Sequence, residues 1–118
     1  MQASDKIAVV KKYVEAFDKK DISIIKAIYA DNAVVEDPVG TDPYRGIAEI
    51  VAFYEQGLSM GAKLSLTDTP RCAGKAVAFS FIVTVGAMKI DVTDVFEFND
   101  SGKVVSMKAY WGPENITQ

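Results

Sequence analysis

The sequence contains no histidine, so it lacks the side chain that proteins use most often as a general base and as a metal ligand. Acid–base chemistry in this chain must therefore rest on Asp, Glu, Tyr, Lys or Cys. Its single cysteine, Cys72, cannot form an internal disulfide, which is typical of proteins of the reducing cytoplasm.

Excess basic charge and long apolar runs are lacking as well. The net charge of −3 disfavours nucleic-acid binding, which requires a basic surface. The longest nearly apolar run, residues 76–88, contains Ser80 and Thr84 and is too short to span a bilayer. The first ten residues lack the basic-then-apolar pattern of a signal peptide. We therefore predict a cytoplasmic protein that binds neither nucleic acid nor membrane.

The remaining composition is that of one small globular domain covering residues 1–118. Of the 118 residues, 49% are hydrophobic and 25% are charged, which suits a single core. Helical periodicity after Ser4 predicts a first helix. A short second helix is predicted over residues 22–29, with Asp21 as its cap, and a third helix over residues 47–58. Strands are predicted at 33–37, 63–68, 75–85, 88–99 and 103–111, with a hairpin turn at 99–102.

The order of these elements, helices first and then mostly strands, predicts an α+β fold. Three N-terminal helices would pack in a curved mixed or antiparallel sheet. Along the strand 88–99, Asp94 shares its face with Ile90, Val92, Phe96 and Phe98. A charged carboxylate among these side chains would be costly, which favours a raised pKa and a neutral acid that donates a hydrogen bond. An ion pair with a buried Lys or Arg, or a bulge that turns Asp94 outward, are the alternatives.

Three tyrosines occupy positions where the pattern calls for apolar residues. Tyr13 lies on the apolar stripe of the first helix, Tyr54 lies on that of the third, and Tyr29 ends the second. Each alone is typical of an ordinary core tyrosine. Together with an inward-facing acid they indicate a hydrogen-bonded cluster with donors to spare.

A second carboxylate, Asp37, precedes Pro38 in a segment rich in turn-forming residues. It shares the parity of Ala33 and Val35, so it is predicted to face the mouth of the core, although a turn-forming role is the common one for such an Asp. Glu36 is the rival carboxylate. At the end of the last strand, Trp111 shares the parity of Val105, Met107 and Ala109 and is predicted to pack in the core or to form an apolar pocket wall.

Several of these segments resemble the bacterial ketosteroid isomerases, which are nuclear-transport-factor-2-like (SnoaL-like) proteins. The resemblance covers nearly the whole chain in order. It is carried by residues 12–14 (KYV), 29–40 (YADNAVVEDPVG), 53–58 (FYEQGL), 91–96 (DVTDVF) and 104–112 (VVSMKAYWG) with the Glu114-Asn115 that follows. The hairpin at residues 86–88 is a few residues shorter than in that family.

The resemblance implies a role for each matching position. Asp37 would be the general base, Tyr13 and protonated Asp94 the oxyanion-hole donors, and Tyr54 and Tyr29 a supporting hydrogen-bond network. It also implies a cofactor-free and metal-free steroid Δ-isomerase, a ketosteroid substrate, a cone-shaped fold and a homodimer. The implied steroid pocket contains Val39, Met107 and Trp111.

Other activities occur on the same scaffold. Dehydratases of this kind use histidine, which is lacking here. Epoxide hydrolases need an Asp–Arg–Asp arrangement, and neither Arg45 nor Arg71 falls on a strand position facing Asp94. A polyketide cyclase, which would use similar enolate chemistry, and a non-catalytic binder of small apolar ligands remain alternatives.

Overall fold

The computed structural model describes all residues from Met1 to Gln118. The helices are α1 (Ala3–Lys19), α2 (Ile22–Ile28) and α3 (Ile47–Ser59), and a 3₁₀ turn covers Pro113–Asn115. The strands are β1 (Tyr29–Glu36), β2 (Tyr44–Arg45), β3 (Lys63–Leu66), β4 (Arg71–Ala73), β5 (Ala76–Val85), β6 (Met88–Phe98), β7 (Val104–Tyr110) and β8 (Ile116–Thr117). The predicted α+β class is confirmed: three helices pack against one mixed sheet.

The sheet has the strand order β2-β1-β7-β6-β5-β3, with β4 paired to β5 and β8 paired to β6. Every pair is antiparallel except β1 and β7, which run parallel. The β5–β6 hairpin forms the longest strand pairing of the sheet, from Ala76–Glu97 to Val85–Met88. Because β7 lies between β1 and β6, it brings the end of β1 beside the middle of β6.

The helix ends follow local hydrogen bonding. Asp21 caps α2 as predicted, since its carboxylate accepts from the Ser23 backbone N–H at 3.0 Å. Helix α1 begins before Ser4, because the backbone N–H of Gln2 donates to Asp5 at 2.8 Å and closes the first turn there. Helix α2 ends at Ile28 rather than Tyr29, whose extended backbone already begins β1.

The core is one cluster of 24 buried residues between the helices and the sheet. Strand β6 alternates as predicted, with Val92, Asp94, Phe96 and Phe98 buried. In β7 the predicted parity of Val105 is wrong. Val104 pairs with Phe98 while Ser106 pairs with Glu97, so Val105 is an extra residue in the ladder. Such a bulge changes the face of every residue beyond it.

Short elements escaped prediction, whereas the turn at residues 99–102 is confirmed. The Asn99 side chain accepts from the backbone N–H groups of Ser101 and Lys103, both at 3.0 Å, and closes the β6–β7 connection. Strands β2, β4 and β8 have two or three residues each, too few to show a periodic pattern. None of the helices combines the length and apolar character needed to cross a membrane.

Candidate active site

A cavity of about 300 Å³ lies between the helices and the inner face of the sheet. Its walls are mostly apolar: inward-facing residues of β5 and β6 form one side, and Phe17 of α1 and Phe53 of α3 contribute to the other. Five of the predicted site residues reach this cavity from separate elements. They are Tyr13, Asp37, Tyr54, Asp94 and Trp111.

The sheet register brings the two carboxylates to the same level. Glu36 at the end of β1 pairs with Lys108 of β7, and the next residue of β7, Ala109, pairs with Asp94 of β6. Asp37 and Asp94 therefore flank β7, on strands about 10 Å apart. Glu36, the rival carboxylate, does not line the cavity.

Asp94 is 1% exposed, and neither of its carboxyl oxygens has a hydrogen-bond partner within the protein. It faces inward without a basic partner, so neither the ion pair nor the outward bulge applies. Burial, followed by the charge of Asp37, raises the pKa of Asp94 well above its usual range. The nearby Tyr13 hydroxyl acts in the opposite direction but does not meet hydrogen-bond geometry. Burial without a partner and the raised pKa both favour the neutral form of Asp94, which can donate a hydrogen bond into the cavity.

The three predicted tyrosines form a buried chain with Tyr54 in the middle. Its hydroxyl lies 3.0 Å from that of Tyr13 and 2.6 Å from that of Tyr29. Burial is the main cause that raises the pKa of all three phenols well above the usual value, so they remain neutral donors. When Tyr29 donates to Tyr54 and Tyr54 to Tyr13, the proton of Tyr13 is left free for an acceptor in the cavity.

Aromatic packing fixes the direction of the Tyr13 hydroxyl. The Tyr13 ring makes edge-to-face contacts with Phe17, Phe79 and Phe96, with centroid distances of 5.4, 5.8 and 5.2 Å. A donor held in this way needs little reorganisation when charge develops on a bound molecule. Tyr29 lies behind Tyr54 and does not line the cavity.

The sequence did not reveal that Trp111 holds Asp37. The indole Nε1–H donates to Asp37 Oδ1 at 2.7 Å, in addition to forming part of the cavity wall. Burial raises the pKa of Asp37, and the Trp111 hydrogen bond acts against that rise. The requirement of a buried indole N–H for an acceptor was the available signal. The sequence could not identify Asp37 as that acceptor, because the two residues are brought together by the pairing register of β1 and β7.

Two predicted pocket residues lie elsewhere. Met107 is fully buried opposite Phe96, in the core behind the cavity wall, so it does not reach the cavity. Val39 is 41% exposed and borders a separate shallow depression beside Trp111. The lining instead includes residues that the sequence did not single out, mainly in α3 and the β5–β6 hairpin. They are Phe53, Gln56, Met60, Val83, Val85 and Met88.

We expect the substitution Asp94→Asn to remove a pH-dependent loss of stability. With its pKa raised in the folded state, Asp94 binds its proton more tightly there than in the unfolded chain. Its contribution therefore becomes more unfavourable as pH rises above the unfolded value of about 4. Asparagine carries no such penalty. Urea unfolding at about pH 5 and about pH 8 should show the variant gaining stability over wild type at the higher pH.

The matched control for this experiment is Asp91→Asn, at an exposed position of the same strand. It should show no comparable gain. A difference between Asp94→Asn and wild type that is equal at both pH values would contradict a protonated Asp94.

No group of three or more His, Cys, Asp or Glu side chains comes together in an arrangement suited to a metal ion. The side chains gathered here can do two things. A carboxylate that accepts from an indole can exchange a proton with a bound molecule, and the Tyr13 hydroxyl together with Asp94 in its protonated form can stabilise a negative oxygen in the cavity.

Comparisons with known proteins agree on one family. A model described as a SnoaL-like domain matches residues 10–107. A protein named Steroid Delta-isomerase, from Nocardioides simplex, is 41% identical over 115 residues, covering 92% of this chain and 91% of the relative. The solved structure of SalBIII superposes with a TM-score of 0.89 at 25% identity, covering 98% of both chains. SalBIII is described as an epoxide hydrolase/cyclase-like enzyme with a role in pyran ring formation in the polyether salinomycin.

Proposed function

The chain belongs to the SnoaL-like family, and we propose that it is a steroid Δ-isomerase that converts Δ5-3-ketosteroids into Δ4-3-ketosteroids. The predicted resemblance to bacterial ketosteroid isomerases is confirmed by the relative named Steroid Delta-isomerase. The observation that carries the activity is that the Tyr13 hydroxyl and the unpartnered carboxyl of Asp94 lie in the same apolar cavity as the carboxyl of Asp37.

In the proposed reaction, the Asp37 carboxylate removes a proton from the carbon between the carbonyl and the alkene. That C–H bond breaks, its electrons move onto the carbonyl oxygen, and a dienolate forms. Asp37, now an acid, returns the proton at the far end of the conjugated system. One proton leaves one carbon and joins another, so the step balances without an oxidant, a metal or a cofactor.

Tyr13 and Asp94 make this proton transfer feasible. An aspartate is a weak base for a carbon acid, so the dienolate must be stabilised as it forms. Both groups would donate to the developing oxyanion, in a site where burial strengthens each hydrogen bond. The apolar walls would bind the flat steroid by burial, worth roughly 25 cal/mol per Å² of apolar surface.

The direct test is ultraviolet absorbance after mixing the protein with 5-androstene-3,17-dione. We expect a rapid rise in conjugated enone absorbance that scales with enzyme concentration. Binding is followed separately by quenching of Trp111, the single tryptophan, which lines the cavity. Steroid binding without a rise in absorbance would contradict the isomerase and favour a non-catalytic ligand binder.

A polyketide cyclase is the second candidate, because the cyclase-like SalBIII shares this fold over 98% of the chain. Enolate chemistry on a ring ketone could use the same base and donors. An Asp–Arg–Asp epoxide hydrolase is less compatible, since Arg45 and Arg71 are exposed and neither lines the cavity. Conversion of a keto-polyketide but not of the ketosteroid would favour the cyclase.

We expect Trp111→Phe to move the acid limb of the pH–rate profile to higher pH. The indole hydrogen bond favours the Asp37 carboxylate, so its loss should raise the pKa of Asp37 further, and the base would be protonated at a higher pH. Phenylalanine keeps an apolar wall. The profile of kcat/KM from about pH 4 to about pH 8 measures this shift. An unchanged acid limb would contradict the proposed role of the indole.

The proposal includes assembly as a homodimer in the cytoplasm. Half-buried Ile82 and Val95 and exposed Tyr110 lie on the sheet face directed away from the core, and apolar side chains there are typical of an interface. Light scattering should give twice the chain mass. The mass of a single chain would contradict the dimer but would leave the isomerase unaffected.

A further inference from the structure

One polar side chain of the cavity, Gln56, has no part in the proposed mechanism. Its backbone carbonyl accepts from Ser59 Oγ at 2.8 Å, but its side-chain amide has no hydrogen-bond partner within the protein. Asp37, Tyr13, Tyr54 and Asp94 are the other hydrogen-bonding side chains of the mainly apolar cavity, apart from the indole already paired with Asp37. The Gln56 amide is therefore available to a bound molecule.

Gln56 lies at the solvent-facing rim of the cavity, whereas Tyr13 and Asp94 are buried. It is exposed and lies on one helical stripe with Phe53 and Met60, and Met60 is 61% exposed. Strand β3 follows α3 almost at once and pairs Lys63 with Thr84, so the last turn of α3 lies beside the end of the β5–β6 hairpin.

The cavity extends from the buried Asp94 along the inner face of β6. Along β6, inward-facing lining residues extend from Asp94 to Met88 near the hairpin end. Six residues of strand span roughly 20 Å. A rigid, elongated ligand with its ketone at Asp94 would therefore direct its other end toward the hairpin and the last turn of α3.

We propose that Gln56 recognises a carbonyl or hydroxyl group at the end of the substrate remote from the reacting ketone. This inference rests on the proposed function and makes it more specific. A glutamine amide both donates and accepts, so it suits a keto or a hydroxy substituent at that end. Because the contact is equally available in the ground and transition states, it should affect KM and leave kcat unchanged.

The test uses steroid pairs that differ only in the oxygen of the remote ring. Turnover is measured with 5-androstene-3,17-dione and 5-androsten-3-one. Binding is measured with the conjugated products of both, 4-androstene-3,17-dione and 4-androsten-3-one, through quenching of Trp111. Wild type should prefer each oxygenated ligand by about two- to tenfold in KM or Kd, the range of one net hydrogen bond. Gln56→Leu should remove that preference, so that its ratio of KM values and its ratio of Kd values within each pair fall to about one.

Glu55→Leu is the matched control, since it places the same side chain at an exposed neighbouring position that does not line the cavity. It should retain the wild-type preference. The inference would be overturned if wild type and Gln56→Leu showed the same preference for the ligands with a remote oxygen. It would also be overturned if neither conjugated ketone bound to wild type. Binding with the expected preference but without turnover would support Gln56 recognition and contradict only the isomerase.

Discussion

The substitution Asp37→Asn is expected to reduce kcat by about 10²–10⁴-fold, the range for loss of a positioned general base. An amide is nearly the same size as a carboxylate but cannot take up a proton from carbon. The side chain can still accept from Trp111, whose Nε1 lies 2.7 Å from Asp37 Oδ1. Enone absorbance gives kcat, and quenching of Trp111 by 4-androstene-3,17-dione should show binding close to wild type.

Glu36→Gln provides the matched control for this prediction. Glu36 is the adjacent carboxylate and lies outside the cavity, so removing its charge should change kcat by no more than a few-fold. If Glu36→Gln were the variant that lost turnover, the base would have been assigned to the wrong residue. Near-wild-type turnover in Asp37→Asn would remove the proposed mechanism altogether.

The second large effect is expected from Tyr13→Phe, which should reduce kcat by about 10²–10³-fold. Loss of one preorganised oxyanion donor in well-studied enzymes costs roughly 3–4 kcal/mol, which corresponds to this range. The ring and its contacts with Phe79 and Phe96 remain, and Tyr54 keeps its hydrogen bond to Tyr29. The fold should therefore be preserved, and the loss should appear in kcat rather than in ketone binding.

Tyr29→Phe is the matched control, because it distinguishes loss of the Tyr13 donor from a disturbance of the tyrosine hydrogen-bond network. Tyr29 is the outer member of the tyrosine chain and does not line the cavity, so its removal leaves the Tyr13 hydroxyl in place. We expect only a few-fold reduction in kcat. Turnover of Tyr13→Phe within a few-fold of wild type would show that Tyr13 is not an oxyanion donor.

Much of the fold could be predicted because periodicity along a single element determines which face is buried. The alternation of Ile90, Val92, Phe96 and Phe98 placed Asp94 on the inner face, where the structure has it. The apolar stripes of α1 and α3 did the same for Tyr13 and Tyr54. The same reasoning failed in β7, where a bulge moved Val104 rather than Val105 into the core.

The cavity lining could be predicted only in part. Inward direction alone does not distinguish a residue packed in the core from one facing a cavity, because both are apolar and both follow the same alternation. Met107 points inward but is covered by the core, whereas Val83 and Val85 reach the cavity from the hairpin. That distinction depends on how far the helices lie above each part of the sheet.

By itself, the sequence determined the fold class and the inward direction of Asp94, Tyr13 and Tyr54, because these follow from local periodicity and from the cost of burying polar groups. Only the tertiary structure decided that Asp94 has no partner and that Trp111 holds Asp37. Both facts depend on the register of β1, β7 and β6, which are far apart in the chain. Strand register is set by the sum of contacts across the whole core and not by any single segment.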